Sequence, residues 1–228
     1  MNGPVGAGTA RMLAGRAARI AAGERPIGWK VGFGAPAALE RFGLEGPLVG
    51  FLTDRGIVES GDSVSVGNWI RPVAEAEVAL WFGGDVAPDA DASAIRRAIS
   101  GVGAAIELAD IDHDPADPER IVADNIFHRH VVFGMPDGDR RGGELAGLVA
   151  RVDVGGDEVA FVTELEALTG GLVEVVGHTA RTLASFGVGI TKGDVLIGGS
   201  VMPPVPVQPG VTVRYALEPL ASISVTLV

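Results

Sequence analysis

The sequence predicts an α+β chain, mostly β, with a small helical segment at its front. Three observations carry this. Val73–Phe82 alternates strictly, with Ala74, Ala76, Val78, Leu80 and Phe82 on one face and Val73, Glu75, Glu77, Ala79 and Trp81 on the other. Glycine makes up 34 of 228 residues, scattered without a period, as many tight turns between short strands require. A helical apolar spacing stands out near the front, over residues 9–23. The organisation expected is a helical front over residues 1–56 and one compact β-rich unit over residues 57–228.

In chain order, Thr9 is placed to cap the first helix and Gly23 to end it, with Pro26 beyond. Residues 28–33 are short and extended and carry Lys30. A second helix is predicted from Pro36, a first-turn proline, to Phe42, with Gly43 after it. Val64–Ile70 and Val73–Phe82 are predicted strands, the second closed by Gly83-Gly84. Ser93 is the expected cap of a helix running to about Ser100. Val102–Ala109 reads as a buried strand containing Glu107. Residues 112–120 are acidic, contain two prolines and read as a loop. Val131–Phe133 and Leu148–Val154 are further strands. Thr163-Glu-Leu-Glu166 has capping-box spacing and predicts a helix broken near Gly170-Gly171. Another apolar stretch runs from Val173 to Phe186. Asp194–Ile197, Thr212–Leu217 and Ser222–Val228 close the chain as strands, the last two of these preceded by the turn at Gln208-Pro-Gly210.

Composition excludes several function classes. Hydrophobic residues at 47% and charged residues at 21% fit a globular chain. A net charge of −11 lacks the basic footprint of a nucleic-acid binder and would be repelled by anionic membranes. With no cysteine there is no disulfide, thiolate metal site or cysteine nucleophile. No run of 18 apolar residues occurs, and Arg11, Arg16, Arg19 and Arg25 interrupt any secretory leader core. A cytoplasmic protein is the expectation.

Glu75-Ala-Glu77 is the most informative motif. Period two puts both carboxylates on one face of one strand, about 7 Å apart. Val73, Ala79 and Trp81 share that face. Two like charges on such a surface repel each other and are costly to desolvate; a divalent cation relieves both penalties. Oxygen-only ligands suit Mg²⁺ or Mn²⁺ rather than zinc. Glu107 adds a third carboxylate in an otherwise apolar run, with Asp110 three residues on as a supporting group. The competing reading is a solvent-facing strand edge and a glutamate at a strand end.

These motifs resemble a known family when taken together. Gly28-Trp-Lys30-Val-Gly32, Val49-Gly-Phe-Leu-Thr-Asp54, Arg71-Pro-Val-Ala-Glu75-Ala-Glu77, Ala105-Ile-Glu107-Leu-Ala-Asp110, Asp124-Asn125 and Pro203-Pro-Val-Pro-Val-Gln-Pro-Gly210 occur in the order seen in the 2-keto-4-pentenoate hydratase and 4-oxalocrotonate decarboxylase group of the fumarylacetoacetate hydrolase superfamily. The similarity spans about residues 15–228. It implies the superfamily's mixed β-sandwich/roll, self-association as a homo-oligomer, a small 2-oxo acid substrate, and Mg²⁺ or Mn²⁺ held by Glu75, Glu77 and Glu107. The metal would chelate the substrate's carboxylate and 2-oxo groups and stabilise the developing enolate. By the same resemblance Lys30 would neutralise the substrate carboxylate or move a proton, and Asp54 would be a proton-transfer group. On spacing alone, Lys30 also reads as a surface lysine and Asp54 as a turn residue.

Two departures from the family pattern stand out. A small Ala-Ser-Ser-Gly-like stretch usually follows Asp-Asn; here it is Ile126-Phe-His128-Arg129-His130, so that His128 or Arg129 would bind a second substrate carboxylate or act as an acid, or else face solvent or a subunit contact. The front is also shorter than is common, which implies a reduced lid or cap. The leading expectation is a hydratase-type lyase. A 2-oxo acid decarboxylase, an acylpyruvate-type C–C hydrolase and a non-catalytic subunit that retains the fold are the alternatives.

Overall fold

In a computed structural model, residues 3–228 are described. The elements in chain order are α1 (Pro4–Ala21), β1 (Pro26–Gly32), α2 (Pro36–Phe42), β2 (Leu48–Thr53), β3 (Ser63–Val64), β4 (Pro72–Phe82), α3 (Ala92–Ala98), β5 (Ile99–Asp110), α4 (Pro118–Ala123), β6 (His128–Phe133), β7 (Val149–Val154), β8 (Asp157–Val162), α5 (Leu172–Ala184), β9 (Val195–Ser200), β10 (Val205–Pro206), β11 (Thr212–Glu218) and β12 (Ala221–Leu227). They build an α+β fold of two sheets. One runs β2-β1-β9-β4-β5-β6, with β10 added on β4. The other runs β3-β12-β11-β7-β8.

The two faces of β4 have separate fates, as its alternation predicts. Val78 and Leu80 point into the main core, which also holds Ile106 of β5 and Tyr215, Ile223 and Val225 of the second sheet. Ala79 points the other way, into a second cluster with Leu52, Ala105, Val131, Val195 and Ile197 from four other strands of the same sheet. Residues drawn from across one sheet pack together only if that sheet curls. The curl is nearly closed: just past β2, Ile57 bridges Val131 of β6, and the Val58 N–H donates to the Val131 carbonyl at 2.9 Å. The larger sheet is therefore a roll with its own interior.

The front of the chain is part of this roll. β1 pairs antiparallel with β2 and parallel with β9, so residues 26–53 supply two staves of the wall as well as α2. The first helix begins earlier than the Thr9 cap predicts. Pro4 occupies its first turn, and the Thr9 hydroxyl donates within the helix to the Val5 carbonyl at 2.8 Å. Gly8 lets α1 lie against α4, since a Cβ there would collide with the Glu119 carbonyl.

Other differences have local causes. Asp91, not Ser93, caps α3, accepting from the Ala94 N–H at 2.7 Å. The capping-box spacing at Thr163–Glu166 yields a turn instead of a helix. Glu166 instead accepts from the Leu172 N–H at 2.6 Å and so closes the start of α5. Predicted strand Val64–Ile70 shrinks to β3, because Trp69 and its neighbours turn back towards β4. No helix among the described residues is long and apolar enough to cross a membrane.

Candidate metal and substrate site

The interior of the roll holds the acidic cluster. β4 and β5 run antiparallel in a register that sets Glu75 directly opposite Glu107 and Glu77 opposite Ala105. Cross-strand partners of this kind lie about 4.5–5.5 Å apart at Cβ, so the third carboxylate belongs on the same face as the other two. Lys30 comes from β1, three strand steps from β5. On a flat sheet that is about 14 Å. Yet the Lys30 ammonium touches Glu107 Oε1 directly, across the bore of the roll.

Each charged group has a defined partner. Glu107 is fully buried and also meets His128 Nδ1 at 2.8 Å, while its Oε2 is buried with no hydrogen-bond partner. The Lys30 ammonium makes a further hydrogen bond to the Ile126 carbonyl at 3.3 Å. Glu77 Oε2 accepts the Gly199 N–H at 2.8 Å. Gly199 adopts φ +108 and packs on Thr169, a conformation and clearance suited to glycine. Glu75 is only partly buried and reaches a pocket of about 300 Å³, to which Lys30 and Ser200 also contribute.

Burial and crowding set the protonation of the cluster. Burial, with the charge of Glu107 added, raises Glu75 to about 7 despite the opposing effect of Lys30. Glu77 is pushed well above the usual carboxylate range by burial and by both neighbouring glutamates. Burial alone would raise Glu107 too, but Lys30 and His128 outweigh it and hold this carboxyl low. Burial lowers His128, against the pull of Glu107. Fully ionised, the three carboxylates would face one ammonium, an excess of two negative charges that a single divalent cation would balance. Without it, burial and mutual repulsion keep Glu75 and Glu77 high.

The residues fit such an ion in donor chemistry: hard carboxylate oxygens on one face, an excess of two charges, and an unpartnered buried Oε2 on Glu107. The side chains are not gathered around a point. Among the described residues no three His, Asp or Glu side chains stand together at ion-holding spacing. Glu107 is turned to Lys30 and His128, and Glu77 to Gly199.

The remaining sequence-predicted residues lie elsewhere. Asp54 sits at the end of β2, paired with Arg25 at 2.9 Å, and does not line the pocket. Its position is four residues along the strand pair from the Lys30 level, which takes it out of the bore. Arg129 is turned outwards to Asp112 at 2.7 Å and Asp110 at 3.7 Å, so it offers no charge to the pocket. His128 is buried behind Glu107 rather than facing the pocket. Asp110 ties down the approach to β4 by accepting from the Ile70 and Arg71 N–H groups, each at 2.9 Å.

Sequence reading missed Gly199 as a donor, and in the atypical 126–130 segment it singled out His128 and Arg129 rather than Ile126 and Phe127, which line the pocket. It also missed Asn125, whose side chain accepts from the Phe51 N–H at 2.8 Å and donates to its carbonyl at 3.0 Å. A signal for Asn125 existed in its place after Asp124 in the motif. None marked Gly199, because backbone donors leave no side-chain pattern.

Family models match no part of the sequence. The chain is 29% identical over 212 residues to a 2-hydroxyhexa-2,4-dienoate hydratase from Comamonas testosteroni, covering 91% of this chain and 80% of that one. It is 30% identical over 174 residues to a 2-hydroxypent-2,4-dienoate hydratase from Pseudomonas putida, covering 75% and 78%. The chain belongs to the 2-keto-4-pentenoate hydratase / 4-oxalocrotonate decarboxylase family. This family member has the fold of the fumarylacetoacetate hydrolase superfamily. It superposes on the 4-oxalocrotonate decarboxylase from Pseudomonas putida G7, solved with magnesium and adipate, with a TM-score of 0.86 at 26% identity over 93% of this chain and 82% of that one.

Proposed function

We propose that this family member is a metal-dependent lyase of the hydratase type, acting on a small 2-oxo acid or 2-hydroxydienoate. The observation that carries the reading is the acidic face of the roll: Glu75, Glu77 and Glu107 against one ammonium, beside an apolar pocket. Glu75, Glu77 and Glu107 would hold a divalent cation, Mg²⁺ or Mn²⁺, which would supply Lewis acidity at the substrate's 2-oxo oxygen.

The chain's own groups do the rest. The ammonium of Lys30 borders the pocket and neutralises the substrate carboxylate or relays a proton to the carbon chain. His128 keeps Glu107 Oε1 occupied and so orients that carboxylate. The apolar walls keep bulk water away from the electron-rich intermediate. The reaction moves the proton of the 2-hydroxydienoate onto carbon to give the conjugated ketone, and water then adds across the remaining double bond. A cytoplasmic, self-associating enzyme with a small-molecule substrate and neither nucleic acid nor membrane as partner completes the reading.

The likeness to a 4-oxalocrotonate decarboxylase supports a second reading, in which the same electron sink serves loss of CO₂. Incubating the chain with Mg²⁺ or Mn²⁺ and 2-hydroxypenta-2,4-dienoate tests the first. Water addition keeps all carbons in one product, decarboxylation releases CO₂ from a dicarboxylate, and C–C hydrolysis yields two acids. Glu77→Ala is expected to abolish metal-dependent turnover while circular dichroism stays native. Full turnover in that variant refutes the assignment.

A further inference from the structure

The pocket has one charged end and a long apolar remainder. Lys30 and Glu75 mark the charged end, and Phe33, Val73, Ile111, Ile126, Phe127 and Leu168 face the rest. Lys30 is the one cation among the described residues that line it, and that ammonium is already held by Glu107 and the Ile126 carbonyl. The next candidate, Arg129, is spent on Asp112 and Asp110 outside the pocket.

The segment that supplies Ile126 and Phe127 to the apolar wall is built in an unusual way. Asn125, Ile126 and Phe127 stand consecutively at φ 57, 54 and 61, all in the left-handed region. A β-branched residue such as Ile126 rarely adopts it. The run is held from both sides. Asn125 grips the Phe51 backbone through two hydrogen bonds, and the Phe127 ring is wedged against His113, with centroids 4.5 Å apart, and Phe33, 6.4 Å apart. Strained backbone that the surroundings over-determine is characteristic of ligand clamps. Here it turns two large apolar side chains into the pocket and the next cation out of it.

We propose that this site selects 2-oxo acids with a single carboxylate and an apolar tail, that it rejects dicarboxylates, and that Ile126 and Phe127 impose the choice. The inference rests on the function proposed above, since the substrate's first carboxylate must sit at the Lys30 end. A second carboxylate would then find no cation to pair it: the remaining lining is apolar apart from the Thr169 and Ser200 hydroxyls, and that of Ser200 already donates to the Ala76 carbonyl. The pocket volume of about 300 Å³ leaves room for a tail of several carbons.

Two probes of equal chain length separate the outcomes: 2-oxohexanoate and 2-oxoadipate, titrated calorimetrically into the whole chain with Mg²⁺. The monocarboxylate is expected to bind at least about 100-fold more tightly, the discrimination an unpaired buried charge produces. Phe127→Ala opens the wall to water and is expected to shrink that ratio about tenfold. Ile126→Gly, which suits the left-handed conformation, is expected to act in the same direction and serves if Phe127→Ala does not fold. Equal binding, or tighter binding of 2-oxoadipate, overturns the selectivity while leaving the site itself standing. No binding of either probe removes the functional reading and the selectivity with it. A ratio unchanged in both folded variants takes the role away from Ile126 and Phe127.

Discussion

Replacing Glu75 by Gln removes one charge from the bore of the roll while keeping its shape, and the consequence for stability depends on pH. In the folded chain Glu75 titrates at about 7 against an ordinary 4.5. Below 4.5 the carboxyl is protonated in both folded and unfolded chains, and the substitution changes little. Between 4.5 and 7 the folded chain must hold a proton that the unfolded chain has released, so stability falls as pH rises. Above 7 the penalty is complete. A displacement from 4.5 to about 7 corresponds to about 3 kcal/mol at about 1.4 kcal/mol per pH unit. Because Glu75 is partly open to the pocket and turns towards water, about 2 kcal/mol is the better expectation. Glu75→Gln should therefore stabilise the metal-free chain by about 2 kcal/mol at pH 8, or about 4–8 °C in Tm, and by almost nothing at pH 4.5. Urea and thermal melts with a chelator, at the two pH values, measure this. With Mg²⁺ or Mn²⁺ present the order reverses at pH 8, since the wild-type chain gains the ion and the variant loses one ligand. A stability gap of the same size at both pH values, or a variant less stable than wild type at pH 8 in chelator, would refute the charge-crowding argument.

Lys30→Met leaves Glu107 buried with His128 as its one remaining partner, so the metal-free chain should lose about 3–5 kcal/mol; added Mg²⁺ or Mn²⁺ should restore part of it, read as a rise in Tm larger than in wild type. His128→Ala frees Glu107 Oε1 from its 2.8 Å contact and should weaken metal affinity about 10–100-fold by calorimetry, with the far-ultraviolet spectrum unchanged. Gly8→Ala drives a methyl into the Glu119 carbonyl and should cost about 1–3 kcal/mol in urea melts, without effect on metal affinity, because α1 and α4 pack away from the acidic cluster.

The acidic face was legible in the sequence because it lies on strands whose two sides differ. β4 alternates between a core face and a bore face, so Glu75 and Glu77 could be placed together from period two alone. Glu107 stood out as a charge in an apolar run. β2 was not legible for the opposite reason: Leu48–Thr53 is buried on both sides and shows no alternation. β8, with its exposed Asp157, Glu158, Val159 and Phe161, has the burial of an edge strand and left a weak pattern. The contact between Lys30 and Glu107 depends on the curl of the sheet, which no local spacing encodes. Residues 126–130 show the same limit. Composition made His128 and Arg129 look like substrate ligands, but the left-handed run before them reverses which side chains face inwards. The pocket is therefore apolar where the residue types suggested charge.

The bridge from Ile57 to Val131 has a consequence for how such chains can be altered. A hoop joined at that seam depends on all its slats, and the amine that balances the acids is mounted on one of the earliest. Exchanging the opening quarter between homologous proteins would not swap a detachable cover. It would replace part of the vessel in which the reaction takes place, and substrate preference should follow the graft.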